Sequence, residues 1–252
     1  MKTIRKGSKG AQVTRWQFFL AGSGFPAIKA DGDFGKRTRL ATIEFQKQNG
    51  LKGDGVVGKK TYLAASHKGY NLKEARDWPP KPKFRPLSGT RARQAVFGKF
   101  AYKPVGPDSD NIKITDNWER HNIVAIEIPQ LKSVRGARRD GKIRFHKKAA
   151  KQTLKLFQDW EDAGLKDRIL TYAGSYVPRF IRGRYGVLSN HAFGSAFDIN
   201  VAWNGLGREP ALVGQKGSVR ELVEIAHKNG FYWGGHFRRK DGMHFEVAKI
   251  KR

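Results

Sequence analysis

The chain has 252 residues, with 50 Lys and Arg against 22 Asp and Glu, a formal net charge of +28. It contains no cysteine, which excludes disulfides, thiolate metal sites and cysteine nucleophiles. The charge favours polyanions without choosing among nucleic acid, anionic lipid and cell-wall polymers. An apolar fraction of 38% and an aromatic fraction of 12% suit packed cores rather than a disordered chain.

The first residues, "MKTIRKGSKGAQV", are basic with no apolar run behind them and do not read as a signal peptide. No segment has the apolar length of a membrane span. The stretch "KGAQVTRWQFFLAGSG" predicts a helix with Val13, Trp16, Phe19 and Leu20 on one face. Next, "DGDFGKRT" (31–38) and "DGVVGKKT" (54–61) repeat the pattern D-G-x-x-G-x-x-T. Each Asp-Gly suits a turn, and each threonine suits the start of a following helix. Between them "TRLATIEFQKQNG" predicts a helix packing Leu40, Ile43 and Phe45 and ending at Asn49-Gly50. No glutamate closes an EF-hand loop, so the aspartates read as turn residues.

This three-helix pattern, through Trp16-Gln17, Phe45-Gln46 and the paired DG-x-x-G-x-x-T runs, resembles the peptidoglycan-binding domain type 1 family over Ile4 to Ala65. The resemblance implies a wall-anchoring domain at 1–66 and names no sugar contact. Four prolines (Pro79, Pro80, Pro82, Pro86) interleaved with Lys and Arg then predict an extended linker over 67–87.

Residues 88–252 mix helix and strand signals and predict an α+β domain. "FHKKAAKQTLKLFQDWEDAG" reads as an amphipathic helix with Leu154, Phe157 and Trp160 inward. "SVRELVEIAHKNG" reads as another, opened by a capping box of Ser218 and Glu221 and stopped by Gly230. Strands are expected in "NIVAIEI", "RILTYAG", "SAFDINVAW" and "MHFEVAK". Their period of two sets Phe197, Ile199 and Val201 against Asp198 and Asn200, and Met243, Phe245 and Val247 against His244 and Glu246. If the two strands are neighbours, Asp198 and His244 converge, and His191 folds over the same face on a loop eased by Gly194, Ser195 and Ala196. His, Asp and His suit one zinc ion with a fourth position left for water. Asp241, three residues before His244, is the candidate base, with Glu246 behind it. The same spacing also fits two unrelated histidines in a basic protein.

"SNHAFGSAFDIN" followed by "DGMHFE" resembles the zinc peptidases of the VanY/D-alanyl-D-alanine carboxypeptidase family, which share a hedgehog-type α+β fold. Their pattern S-x-H-x-x-G-x-A-x-D, then (Glu/Asp)-x-x-H, falls on Ser189, His191, Gly194, Ala196, Asp198, Asp241 and His244. The resemblance implies His191, Asp198 and His244 as metal ligands, Asp241 as base, and an upstream arginine on the substrate carbonyl, Arg179 or else Arg182. This chain has Asp where the family more often has Glu. Trp233 is expected to wall the pocket, and His67, His121, His146, His227 and His236 to be surface or packing residues.

The two halves together resemble modular phage endolysins. The expectation is a monomeric peptidoglycan hydrolase that cuts a stem-peptide amide, made in the host cytoplasm and acting on the periplasmic wall after release. Peptidoglycan and, through charge, anionic wall or outer-membrane polymers are the expected partners, with no specific nucleic acid. A catalytically inactive wall-binding or virion protein, and a bacterial D-Ala-D-Ala carboxypeptidase, are the alternatives. No H-E-x-x-H or G-x-S-x-G motif is present, and a two-carboxylate glycosidase is left open.

Overall fold

The structure is a computed structural model that describes residues 2–23, 25, 28, 30–68, 70, 79–107, 109–213 and 215–251. The chain divides into two compact units: Met1–Pro79 with Ala211–Arg220, and Pro80–Pro210 with Glu221–Arg252. The first departs from the expected span of 1–66 by taking in Tyr70 and the later segment 211–220.

In the first unit, α1 (Ala11–Gly22), α2 (Lys36–Gln48) and α3 (Lys59–Ser66) enclose a core centred on Trp16. Trp16 meets Phe45, Tyr62 and Tyr70 edge-on at centroid distances of 5.5, 6.0 and 5.6 Å, and its indole N–H donates to Thr42 Oγ1 at 2.9 Å. Tyr70, expected in the linker, is buried here because its ring completes this cluster. Residues 71–78, the middle of the expected linker, lie outside the described residues. Leu40 does not pack as expected and is 53% exposed, since α2 turns Thr38, Ala41, Thr42, Phe45 and Gln46 inward instead.

The repeat has a cause other than helix capping, because neither Thr38 nor Thr61 caps a helix. The two N–H groups of Gln17 Nε2 are shared among Asp31 Oδ1 (2.9 Å), the Asp33 carbonyl (2.8 Å) and Thr38 Oγ1 (3.1 Å), and its Oε1 accepts from Gly32 N–H (2.9 Å). Gln46 does the same with Asp54 (2.9 Å), the Val56 carbonyl (2.9 Å), Thr61 (3.1 Å) and Gly55 N–H (2.8 Å). Each glutamine amide thus satisfies a turn that would otherwise bury orphan polar groups. Gln46→Ala should cost the first unit about 2–3 kcal/mol, read as a lowered urea midpoint for the Trp16 indole NMR signal.

The second unit begins with residues 80–88, and α4 spans Gly89–Phe97. Phe84, also placed in the linker by its neighbours' composition, lies against His227 and Tyr232 at 6.3 and 6.4 Å. Strands β1 (Tyr102–Pro104) and β2 (Ile112–Ile114) pair antiparallel. After α5 (Trp118–Asn122), β3 (Ile123–Glu127) pairs with β4 (Lys142–His146). Helix α6 (Ala150–Asp162) leads to β5 (Tyr172–Gly174), the hairpin of β6 (Phe180–Ile181) and β7 (Arg184–Leu188), and β8 (Ala196–Ile199). The chain ends with α7 (Val223–Lys228), β9 (Phe231–Trp233) and β10 (His244–Val247). This helix α7 is shorter than expected: Ser218 Oγ accepts from Arg220 N–H at 3.3 Å and opens a 3-10 turn, Arg220–Leu222, ahead of it.

The central sheet has the order β5-β8-β10-β9, antiparallel throughout. One face carries Phe197 and Phe245, stacked at 5.6 Å, and receives Phe157 and Trp160 of α6. Burying each such side chain contributes roughly 2–3 kcal/mol, and the indole of Trp160 donates to the Leu222 carbonyl at 2.9 Å. Leu154 is 38% exposed, and Gln152, Thr153 and Leu156 take the inward positions around Phe157 and Trp160. The second core gathers Phe97, Phe100, Trp118, His146 and Phe193, with Phe100 to Trp118 at 4.7 Å and Phe97 to His146 at 4.9 Å.

His146 is wholly buried there. Its Nε2 lies 3.2 Å from the Phe97 carbonyl, to which it donates, and its Nδ1 accepts from Lys148 N–H at 3.1 Å. Only the neutral ring satisfies both bonds, and burial pushes its pKa down to about 4. The unfolded chain takes up this proton below about pH 6.5 and the folded one does not. Stability from His146 is therefore full above pH 6.5 and lost as pH falls toward 4, by about 3 kcal/mol. The difference in pH slope of unfolding between the parent and His146→Gln proteins measures it.

Candidate metal centre

The site stands on the sheet face opposite α6, where strand alternation turns Asp198 and His244 together. In the antiparallel pairing of β8 and β10, His244 is directly opposite Asp198. Their side chains meet with His244 Nδ1 2.9 Å from Asp198 Oδ1. The 3-10 turn Asn190–Phe193 brings His191, whose Nε2 lies 3.3 Å from Asp198 Oδ1 and 3.2 Å from His244 Nδ1. Among the described residues, this is the group of three acid or imidazole side chains able to hold a metal ion.

The outer atoms decide which nitrogens face inward. His191 Nδ1 lies 2.7 Å from the Ser175 carbonyl, which can only accept, so the proton sits on Nδ1 and the lone pair on Nε2. His244 Nε2 lies 3.1 Å from Glu246 Oε2, which draws its proton to that side and leaves the Nδ1 lone pair facing Asp198. Two nitrogen lone pairs and a carboxylate oxygen thus converge within 2.9–3.3 Å. Such an arrangement needs a positive charge among them, either a proton on His244 Nδ1 or a metal ion, and this donor set fits zinc. Burial alone pulls the His244 pKa down, yet its hydrogen bonds to Asp198 and Glu246 carry it up to about 10, so without a metal a proton on Nδ1 takes the place beside Asp198 that the ion would take. Burial raises the Asp198 carboxyl, but His191 and His244 outweigh it and hold the group below the usual range.

The motif around His191 is explained by these braces. Ser189 Oγ accepts from His191 N–H at 3.2 Å. Asn190 Nδ2 donates to Glu246 Oε2 at 2.5 Å, and Ser195 Oγ donates back to the Asn190 carbonyl at 3.1 Å. Phe193 inserts into the aromatic cluster, 5.0 Å from Phe100. Gly194 lets this turn approach β3 and β4 rather than the site itself: a Cβ there would lie 2.8 Å from Ile123 Cδ1, and the Gly194 carbonyl accepts from His146 N–H at 2.7 Å. Asn200 ends β8 at a positive φ of 54° and accepts at Oδ1 from Leu170 and Thr171 N–H at 2.8 and 3.0 Å.

A cleft of about 720 Å³ opens over the cluster, lined by His191, Asp198 and His244 and by Asp241, Arg179 and Arg182. Asp241 is half-buried, and burial raises its carboxyl above the ordinary 3.8 against the pull of His244, His191 and Arg179. Arg179, also half-buried, feels Asp198 and Asp241 and donates to the Phe180 carbonyl at 3.1 Å. Trp233 does not wall this cleft. It is fully buried, and its indole donates to the Gly242 carbonyl at 2.7 Å, fixing the turn that carries Asp241 and His244. Gly234 packs against that turn so closely that a Cβ would collide with the Asp241 carbonyl.

Glu246, the reserve candidate for the base, is 2% exposed and bonded to the outer nitrogen of His244, so it orients a ligand instead. Asn190, Ser175 and Glu246 carry no signal of their own in the sequence beyond their neighbours. Glu246→Gln should weaken zinc binding about 10–100-fold while the unit stays folded, as measured by competition with a chromogenic chelator.

The site is a candidate metal centre in a chain of two compact units, and comparison with known proteins gives each unit a family likeness. Residues 182–247 match the family model described as D-alanyl-D-alanine carboxypeptidase, and residues 9–64 match that of a putative peptidoglycan binding domain. Their order is the two-domain arrangement expected from the sequence. A probable N-acetylmuramoyl-L-alanine amidase from Bacillus licheniformis is 38% identical over 65 residues, 25% of this chain. The chain spans only 18% of that relative's length. The crystal structure of the SleB N-terminal domain shares 36% identity, covering 27% of this chain and 92% of that one, with a TM-score of 0.26. No described helix is long and apolar enough to cross a membrane.

Proposed function

We propose that the chain is a zinc-dependent peptidoglycan hydrolase that cuts an amide in the stem peptide, with the modular organisation of a phage endolysin. The observation that carries this reading is the convergence of His191 Nε2, Asp198 Oδ1 and His244 Nδ1, each turned inward by its outer partner. Those three residues would hold the ion. A bound zinc polarises a carbonyl and makes water acidic enough to attack at neutral pH.

The chain's own groups divide the remaining work. Asp241 takes the proton of the attacking water and returns it to the leaving amine. Its burial keeps that carboxylate basic enough to accept, and the Trp233 and Gly234 contacts hold its turn. Arg179 places a guanidinium toward the oxygen on which negative charge develops. The first unit, at 1–66 extended to Tyr70, anchors the chain on peptidoglycan and raises the local concentration of cleavable bonds. The matched family models and the amidase likeness support a cell-wall substrate, and the net charge of +28 supports attraction to anionic wall or outer-membrane polymers.

Purified protein should contain one zinc per chain by elemental analysis and release peptide fragments from peptidoglycan, and chelation should stop the release. Asp241→Asn should keep the metal and lose at least about 100-fold in kcat, whereas His191→Ala should lose the metal itself. Absence of both metal and chelator sensitivity would overturn the reading. Mass spectrometry of the fragments identifies the bond.

A further inference from the structure

The ring and the backbone of His191 are both held by one short segment, residues 175–177. The ring Nδ1 donates to the Ser175 carbonyl at 2.7 Å, and the His191 carbonyl accepts from Val177 N–H at 3.1 Å. The far end of this segment is tied to β2, where the Pro178 carbonyl accepts from Ile112 N–H at 3.0 Å. Its near end has no such tie to the sheet. Strand β5 stops at Gly174, whose φ of 116° and open surroundings leave the following peptide free to turn. The aim of the Ser175 carbonyl therefore has to come from side chains.

Two neighbouring side chains supply it. Ser175 Oγ donates to the Arg144 carbonyl on β4 at 2.7 Å. The Tyr176 hydroxyl donates to Glu119 Oε2 on α5 at 2.8 Å, and Arg144 Nη2 donates to Glu119 Oε1 at 2.5 Å. The Arg144 guanidinium lies over the Tyr176 ring, 4.7 Å from its centre. Phenol, carboxylate and guanidinium thus close a triangle of charged hydrogen bonds and a cation–π contact. Burial pushes the Glu119 carboxyl up, but Arg144 and Tyr176 outweigh it and hold the group below its ordinary 4.5. Burial and that carboxylate push the Tyr176 phenol up, so the proton it donates stays on it. An isolated surface ion pair contributes little, whereas this one is locked to a half-buried ring. All three residues lie outside the lining of the cleft, so substrate contact does not account for them.

We propose that Tyr176 is a positioning residue for His191: with Glu119 and Arg144 it fixes the backbone at 175–177, and through that backbone it sets the aim of a metal-ligating nitrogen. The inference rests on the zinc-site reading and extends it to side chains that touch neither metal nor substrate. Without the phenol hydroxyl, His191 keeps its hydrogen bond to Ser175 but swings through a wider range. The ion is then held less tightly while the surfaces that meet substrate are unchanged.

The test measures zinc affinity of the full chain by chelator competition, together with the visible spectrum of the cobalt-substituted protein. Tyr176→Phe keeps the ring beside Arg144 and loses one oxygen. It should weaken zinc at least about threefold and alter the cobalt bands. Glu119→Gln leaves one oxygen for two donors and should do the same. The double variant should lose no more than the larger single loss, because both changes open one triangle. Gln152→Ala is the control for stability: it removes bonds to the Asn229 and Lys249 carbonyls on the α6 side of the sheet. Its urea midpoint should fall while zinc affinity and cobalt bands stay those of the parent. Unchanged zinc affinity in both single variants, an equal loss in Gln152→Ala, or losses that multiply in the double variant would each overturn the assignment. A parent chain that binds neither metal overturns the zinc-site reading and this one with it. A parent that binds zinc and releases no fragment overturns the hydrolase reading alone, and the comparison of variants still stands.

Discussion

The pairing of β8 with β10 is the constraint on which the site depends. Because His244 stands directly across from Asp198, a slip of β10 by one residue would turn His244 toward α6 and bring Phe245 out to the cleft. The apolar face prevents that slip. Phe197 and Phe245 stack on each other and against Phe157 and Trp160, so the register that buries the rings is the register that assembles the ligands. Packing on one side of a four-stranded sheet thereby sets chemical geometry on the other.

His191 reaches the same place by a different route. Its turn belongs to no strand, and its position comes from Phe193 beneath it, the Ser175 carbonyl on its ring and Ser189 at its backbone. Rigid anchoring matters because a metal site needs its donor atoms held in place before the ion arrives. Glu246 and Asn190 complete the arrangement by holding His244 from its outer nitrogen. Apart from the Ser175 carbonyl, the candidate ligands and the groups that orient them lie within two short segments, 189–200 and 241–247.

The period of two made Asp198 and His244 legible as partners, since alternation alone separates their face from the apolar one. Helix positions and the chain order of the two units were legible for similar reasons. What stayed hidden was chosen by tertiary context. Leu40 and Leu154 carry the right hydrophobicity for a core and lie at its margin, because Thr42 and Leu156 take the buried face of their helices. Gln17 and Gln46 look like ordinary helix residues, and only the folded turn shows each amide answering an aspartate, a threonine and two backbone groups. Tyr70 and Phe84 were masked by the basic and proline-rich composition around them, which says nothing about where a single ring will bury. Glu246 read as a spare acid because alternation gives a face and not a direction along it.

The glutamine clamps also bear on why the first unit keeps its pattern twice. A loop that turns back on a helix of three or four turns buries backbone groups that no strand or helix partner can reach. One amide, offering two N–H donors and one acceptor oxygen, meets that need from a single position. Repeating the device at Gln17 and Gln46 gives two loops the same set of bonds, each amide next in sequence to a ring, Trp16 or Phe45, and those rings meet edge-on at 5.5 Å. An aspartate or glutamate in place of the glutamine could accept from the glycine N–H but could not donate to the threonine, the carbonyl and the aspartate. The Trp-Gln and Phe-Gln pairs are therefore single functional letters of the fold, with the ring facing the core and the amide holding the turn.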